Sequence, residues 1–393
     1  MMIVPIACTV APLVIGAAVL AWSMPAPEPP AAADRAAVSV EPWGTVDGKE
    51  AHLWTLTNGH GMTMKVTDWG TIITELWVPD RAGKPVDVVL GRPSLQAYVD
   101  RTQYFGCTAG RCANRIAKGT FTIDGKEFHV PCNNGPNSLH GGNKGFDKRL
   151  WSGEARVVDN VASVTFTYVS ADGEEGYPGT CTAKVTYTLT PGNELKVLME
   201  ATTDRPTVVN LAHHTYWNLG GQGSGAILDH VLKLDADRYT PVDATLITTG
   251  EIAPVAGTPL DFRKAKPIGQ DFAKLPATKD DPGGYDHNFV VNGAPGTMRE
   301  CAVVRSPRTG IAMTVRSDQP GIQFYSGNFL DGVPGKNGAD YGKNDGLCLE
   351  TQAFPDSVNK QGKAGWPDVV LRPGRPYRHE MIHAFTAGDA AAK

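Results

Sequence analysis

The feature that most constrains this chain is a strict two-residue alternation, repeated between turn signals. Within residues 180–201, Cys181, Ala183, Val185, Tyr187 and Leu189 alternate with Thr and Lys. Pro191-Gly192-Asn193 interrupts the run, and Leu195, Val197, Met199 and Ala201 then alternate again. A period of two turns one face of each strand inward, so this stretch reads as a hairpin. Residues 161–169 and 311–315 carry the same pattern. Asp124-Gly125, between the apolar runs 121–123 and 128–130, is the pair that a tight hairpin turn demands, because both positions need positive φ. Asn58-Gly59 stands in the same way between 53–57 and 62–66. No amphipathic helix of three turns is found, and residues 94–100 read as one short helical turn. The 44 Gly and 29 Pro supply the turns that many strands require. The expectation is an all-β protein, a large antiparallel β-sandwich forming a single domain over residues 41–388.

The N-terminus is a separate object. No charged residue occurs from Ile3 to Ser23, and a Pro- and Ala-rich stretch follows. Residues 1–23 read as a signal peptide or N-terminal anchor, and 24–40 as a linker. The protein is therefore expected to be exported, periplasmic or secreted, and to touch a membrane only through this segment. Six cysteines follow the leader's Cys8: Cys107, Cys112, Cys132, Cys181, Cys301 and Cys348. Export would permit pairing, and buried free thiols are the alternative. No Cys-x-x-Cys is present, so no zinc pattern is recognised. With 37 Lys+Arg against 41 Asp+Glu the net charge is -4. A protein that binds nucleic acid by neutralising phosphates needs a basic excess, so that class is set aside.

Polar residues break the alternation in four places. Gly110-Arg111-Cys112-Ala113-Asn114-Arg115-Ile116 precedes an Asn- and Gly-rich loop, 133–142, that contains His140. Such a loop either presents a side chain on a rigid backbone or simply runs over the surface. In Asn210-Leu211-Ala212-His213-His214-Thr215-Tyr216-Trp217-Asn218, the period of two sets Asn210, His214, Tyr216 and Asn218 on one face. That face reads as the floor of a polar, aromatic pocket suited to a sugar. Adjacent histidines on a strand point apart, so His213 and His214 do not suit one metal ion, and no metal is expected. In 347–356, Glu350 and Gln352 oppose Leu347 and Leu349. A carboxyl inside a buried-looking strand is either a structural ion pair or a group whose raised pKa makes it a usable base. Asp261, Gln323 and the loop Gly284-Tyr285-Asp286-His287-Asn288-Phe289 are less specific, each ordinary alone.

Taken together, these segments resemble the aldose 1-epimerases, or galactose mutarotases, from about residue 44 to 385. The resemblance rests on 110–116, on 133–142 followed by Gly145-Phe146-Asp147-Lys148 and Trp151, and on 210–219, 284–289, 323–329 and 349–359. It implies a general base at Glu350 and a general acid at His214. It implies sugar contacts from His140, Asn114, Arg115, Asp261 and Gln323. His213 stands where the family usually has Asn, and Ala353 where His is common. The implied reaction is interconversion of the α and β anomers of a free aldohexose, such as glucose or galactose, by ring opening and closure. It moves protons only, so no cofactor is expected. A non-catalytic carbohydrate-binding protein on the same fold is the alternative. Such a protein could lose the acid–base pair, whereas Glu350 and His214 are both present. A glycosidase would need two paired carboxylates, Glu350 with Asp261, and would leave the histidine without a role.

Overall fold

A computed structural model of the chain describes residues 35–100, 103–275, 277 and 282–388. The expected leader, and the expected linker up to residue 34, lie outside the described residues. Residues 36–40, expected as the end of the linker, instead open the strand Ala36–Val46.

Three larger sheets carry the fold among the described residues. A nine-stranded antiparallel sheet runs in the order Ser152–Val158, Val161–Ser170, Cys181–Leu189, Glu194–Thr203, Tyr377–Ala387, Ile311–Ser317, Arg299–Arg305, Val231–Leu234, Lys266–Pro267. A five-stranded meander runs from Ala36–Val46 to Pro85–Asp87. A second five-stranded sheet is ordered Ala253–Pro254, Arg238–Thr240, Asp286–Val290, Gly321–Tyr325, Cys348–Gln352. The alternating residues Val185, Tyr187, Val197 and Met199 of the large sheet are fully buried. They join Leu56, Met64 and Val66 of the meander, and Ile322, Phe324 and Leu349 of the second small sheet, in one continuous core. This is the expected all-β antiparallel sandwich, and period-two burial accounts for it.

The local expectations mostly hold. Cys181–Leu189 pairs with Glu194–Thr203 from Cys181↔Thr203 to Leu189↔Leu195. Ile123 pairs with Lys126 around Asp124 and Gly125, both at positive φ (50° and 79°). The Asn58-Gly59 connection is longer than a two-residue turn: Thr57 pairs with Thr63, and Asn58 Oδ1 accepts from the N–H groups of His60 and Met62 to shape the loop. The short helical turn is a six-residue α-helix, Leu95–Asp100. The six described cysteines are all unpaired, five of them buried and Cys132 exposed.

The back faces of two strands bring histidines into the core. The His213 ring lies 5.8 Å from Tyr187 and 5.7 Å from His383. His379 Nε2 is 2.9 Å from Thr351 Oγ1. Burial pushes His213 well down, His379 to about 4 and His383 to about 3. These rings are neutral in the folded protein, whereas the unfolded chain protonates them near their ordinary value of about 6.5. The unfolded state therefore binds more protons as pH falls below that value. In urea unfolding these rings are expected to contribute a downward slope of stability as pH falls between about 6.5 and 4, against the opposite slope from carboxyls such as Glu350 that burial raises, each tenfold loss of proton affinity on folding being worth roughly 1.4 kcal/mol. His383→Phe should flatten that slope; an unchanged slope would contradict the assignment.

Candidate active site

Register places the site. Asp286–Val290, Gly321–Tyr325 and Cys348–Gln352 are adjacent, with Asn288 opposite Gln323, and Gln323 opposite Glu350. Asp286 is opposite Tyr325, which is opposite Cys348. On the last of these strands Leu349 packs into the core and Thr351 meets His379 and Met381 of the large sheet. Cys348 and Glu350 therefore face the other way. The strand Ala212–His214 pairs with Cys107–Ala109. There His213 turns into the core, and His214 turns toward Glu350.

The two faces meet at a cavity of about 240 Å³. That is the scale of one pyranose. It is lined by His214, His140 and Glu350, by Asn114 and Arg115, and by Tyr216, Tyr325 and Asp286. His214 Nε2 stands 3.6 Å from Glu350 Oε1, with both side chains buried. Glu350 Oε2 is buried without a hydrogen-bond partner among the described residues. A buried polar atom left unpaired costs on the order of 1–3 kcal/mol, so this oxygen is poised for a ligand's hydroxyl.

The loop that carries His140 is rigid for identifiable reasons. Asn133 Nδ2 donates to the Leu139 and Gly142 carbonyls, and Asn133 Oδ1 accepts from the Leu139 N–H. His140 and Asn114 both hold left-handed backbone (φ 49° and 56°). They are tied reciprocally: the His140 N–H donates to the Asn114 carbonyl, and the Asn114 N–H donates to His140 Nδ1 at 3.2 Å. Gly141 is required beside them, since a Cβ there would sit 1.8 Å from the Gly110 carbonyl oxygen. Because Nδ1 accepts, the neutral His140 ring carries its proton on Nε2. His140, His214 and Glu350 bring ligand atoms within 4.8 Å of one another. That spacing resembles a metal site, but an Nε2–H nitrogen offers no lone pair to an ion. His140 is instead a hydrogen-bond donor.

Burial dominates the electrostatics. It pushes Glu350 well up, with Asp286 adding to the effect and Arg115 opposing it. It pushes His214 down to about 4, and His140 well down with help from His214. The resting pair is thus a carboxylic acid beside a neutral imidazole. Passing that proton from Glu350 to His214 gives a carboxylate and an imidazolium with the same proton count, so pH does not choose between the two forms.

Five of the seven residues singled out from the sequence line this cavity: Glu350, His214, His140, Asn114 and Arg115. Gln323 lies behind the lining, where its Nε2 donates to Asp286 Oδ1 at 2.7 Å. Asp261 is a correction. It sits in a separate surface depression with Gly257, Lys264 and Gln270. Its carboxylate is held by Arg263 two residues on, at 3.0 and 2.8 Å. The turn at Thr258 and this local pairing keep it out of the cavity. The acidic residue that does line it is Asp286, 3.8 Å from Arg115 Nη1. Its motif was visible in the sequence, but only strand register shows that it faces Arg115. Tyr104, Asn134 and Phe329 were also missed. The Tyr104 ring lies tilted against His140 with centroids 4.5 Å apart, and Asn134 Oδ1 accepts from Arg115 Nε at 3.0 Å. Asn210 and Asn218, expected on the pocket floor, bind backbone instead, Asn210 at Ala353 and Asn218 at Gly225 and Asp345. Arg111 is likewise structural, donating to the carbonyls of Ser170, Ala171, Pro178 and Gly179.

A profile of the aldose 1-epimerase family matches residues 52–384. The chain belongs to the aldose 1-epimerase family. Human galactose mutarotase is 49% identical over 329 residues, covering 83% of this chain and 91% of the relative. The aldose 1-epimerase of Escherichia coli K12 is 38% identical over 346 residues, covering 87% and 97%. A galactose 1-epimerase from Lactobacillus acidophilus superposes with a TM-score of 0.78 at 28% identity, covering 90% and 99%. An aldose epimerase homologue from C. elegans gives 0.75 at 32%, covering 84% and 97%. The protein is an isomerase that interconverts sugar anomers. The expectation of export is corrected: the mammalian galactose mutarotases that match most of the chain are cytosolic enzymes. No helix among the described residues is long and apolar enough to cross a membrane.

The geometry separates the two aspartates by their effect on the KM for sugar. Asp286→Asn is expected to raise the KM for sugar roughly tenfold to a hundredfold, as losing a charged hydrogen bond would. Asp261→Asn should leave it at the wild-type value. Polarimetric kinetics on both variants decide, and the opposite ranking would reinstate Asp261.

Proposed function

We propose that Glu350 and His214 form the acid–base pair that interconverts the α and β anomers of free aldohexoses such as glucose and galactose. The observation that carries this reading is their approach to 3.6 Å in the lining of a pyranose-sized cavity. The Glu350 carboxylate removes the proton from the C1 hydroxyl, and His214 delivers one to the ring oxygen. The C1–O5 bond breaks to give the open-chain aldehyde. Rotation about C1–C2 presents the other carbonyl face, and closure reverses both transfers. Each positioned group contributes roughly 10²–10⁴-fold. Burial strengthens both transfers by excluding water from the two groups.

The remaining lining residues hold the sugar. His140 Nε2–H donates to a sugar oxygen, Asn114, Arg115 and Asp286 bind hydroxyls, and Tyr216, Tyr325 and Phe329 pack against carbon faces. Gln323 acts through Asp286. Residues 41–388 work as one catalytic unit in this reading, since the cavity draws on chain from Gln103 to Glu350. A neutral sugar is favoured over a phosphorylated one. Arg115 is already engaged by Asn134 and Asp286, Arg111 is spent on backbone carbonyls, and an aspartate faces the cavity. The glycosidase pairing of Glu350 with Asp261 falls away with the position of Asp261.

Polarimetry on fresh α-D-glucose and α-D-galactose tests the reading. Catalysed relaxation to the anomeric equilibrium is expected, with no net product. Glu350→Gln and His214→Asn should each lower kcat by roughly 10²–10⁴. Wild-type rates in Glu350→Gln would remove the base assignment, and binding without rate enhancement in the wild type would favour a carbohydrate-binding protein. The pH profile has a worked sign. The pair needs one proton in total, so kcat/KM should be flat through neutrality. It should fall on the acid side as His214 gains a second proton near about 4, and on the alkaline side when the raised Glu350 loses its own. A maximum confined to the ordinary histidine range would contradict this.

A further inference from the structure

Cys348 and Glu350 stand two residues apart on one strand face, and the His214 ring lies between them. Glu350 Oε1 is 3.6 Å from Nε2, and Cys348 Sγ is 3.7 Å from Nδ1. The two nitrogens of one imidazole therefore meet different chemistry. Nδ1 faces a thiol. That thiol is fully buried, and burial holds it in its protonated, uncharged form. The carbonyl of His214 itself also favours charge on the ring.

We propose that Cys348 is a positioning residue whose sulfur accepts the Nδ1–H of His214, so that Nε2 is the nitrogen that loads and unloads the catalytic proton. This rests on reading Glu350 and His214 as the acid–base pair. Proton bookkeeping then favours one tautomer. With Nδ1–H fixed, Nε2 has a lone pair facing Glu350. The Glu350 O–H bond breaks, the Nε2–H bond forms, and a carboxylate and an imidazolium result. The imidazolium then protonates the ring oxygen while the carboxylate takes the C1 hydroxyl proton, and both groups return to their resting forms. With the proton on Nε2 instead, the neutral ring could accept nothing from Glu350. Donating that proton would leave an imidazolate.

The chemistry of sulfur suits this role. A carboxylate at Nδ1 would stabilise the imidazolium and make it a reluctant acid. Sulfur is a weak, uncharged acceptor that orients the ring without that penalty. The neighbouring histidine makes the contrast: the His140 ring packs edge-on at 4.9 Å, but its Nδ1 accepts a backbone N–H. Two adjacent rings thus carry opposite tautomers, one a fixed donor and the other a cycling acid.

Nitrogen-15 spectroscopy of the histidine rings in the sugar-free wild type at neutral pH tests this directly. The Nδ1–H tautomer of neutral His214 is expected, and an Nε2–H tautomer would overturn the proposal whatever the activity. In Cys348→Ala, kcat should fall roughly ten- to a hundredfold with KM nearly unchanged and the Nδ1–H preference lost, the usual scale for removing an orienting partner. Cys348→Ser, which keeps an acceptor, should restore most of kcat. A folded alanine variant with wild-type kcat and an unchanged tautomer would overturn it. If that variant does not fold, the wild-type spectrum and the serine variant decide. Absent mutarotation in the wild type would instead sink the acid–base reading, and the spectrum would still report on Cys348.

Discussion

The structure depends on one costly placement: a carboxyl and an imidazole, both shut away from water, held 3.6 Å apart. Burial penalises the charged form of each, so the pair rests uncharged, yet it remains one proton transfer away from its charged form. In the proposed reaction that transfer is needed, because the two groups exchange roles between opening and closing the ring. In water the same groups would sit at ordinary pKa values and compete with solvent for the sugar's protons. The cavity supplies the low dielectric, and the sheets supply the distance.

Both contributions follow from period two. Thr351 and His213 each turn toward the large sheet, which anchors their strands through His379, Tyr187 and His383. The residues beside them, Glu350 and His214, must then point away from that sheet and toward each other. A one-residue slip in either strand would exchange core and site at once, so the stability of the core and the geometry of the chemistry are the same constraint. The core histidines carry a cost of their own, since they make the scaffold sensitive to acid.

Much of this was legible in the sequence because alternation is a local property. The hairpin from Cys181 to Thr203, the turn at Asp124-Gly125, and the outward faces of Glu350 and His214 all follow from residues close in the chain. What escaped depends on pairing between distant segments. Asp261 and Asp286 are both aspartates beside aromatic residues, and only the register of Asp286 against Tyr325 shows which one reaches Arg115. Asn210 and Asn218 share a face with His214 by spacing, but the approach of Ala353 and Asp345 turns them into backbone ties. Arg111 shares a segment with Asn114 and Arg115, yet the carbonyls of residues 170–179 surround it and hold it away from the sugar site. The export reading failed for a different reason, because an apolar run is compositional and says nothing of where the enzymes similar to the rest of the chain reside.

The most direct measurement is a crystal structure of the protein soaked with D-galactose. The expected result is a single pyranose with its C1 hydroxyl within hydrogen-bonding distance of Glu350, its ring oxygen facing His214 Nε2, and Arg115 and Asp286 on its remaining hydroxyls. A sugar lying with C1 turned outward toward Phe329, its anomeric end beyond the reach of both Glu350 and His214, would contradict the acid–base assignment.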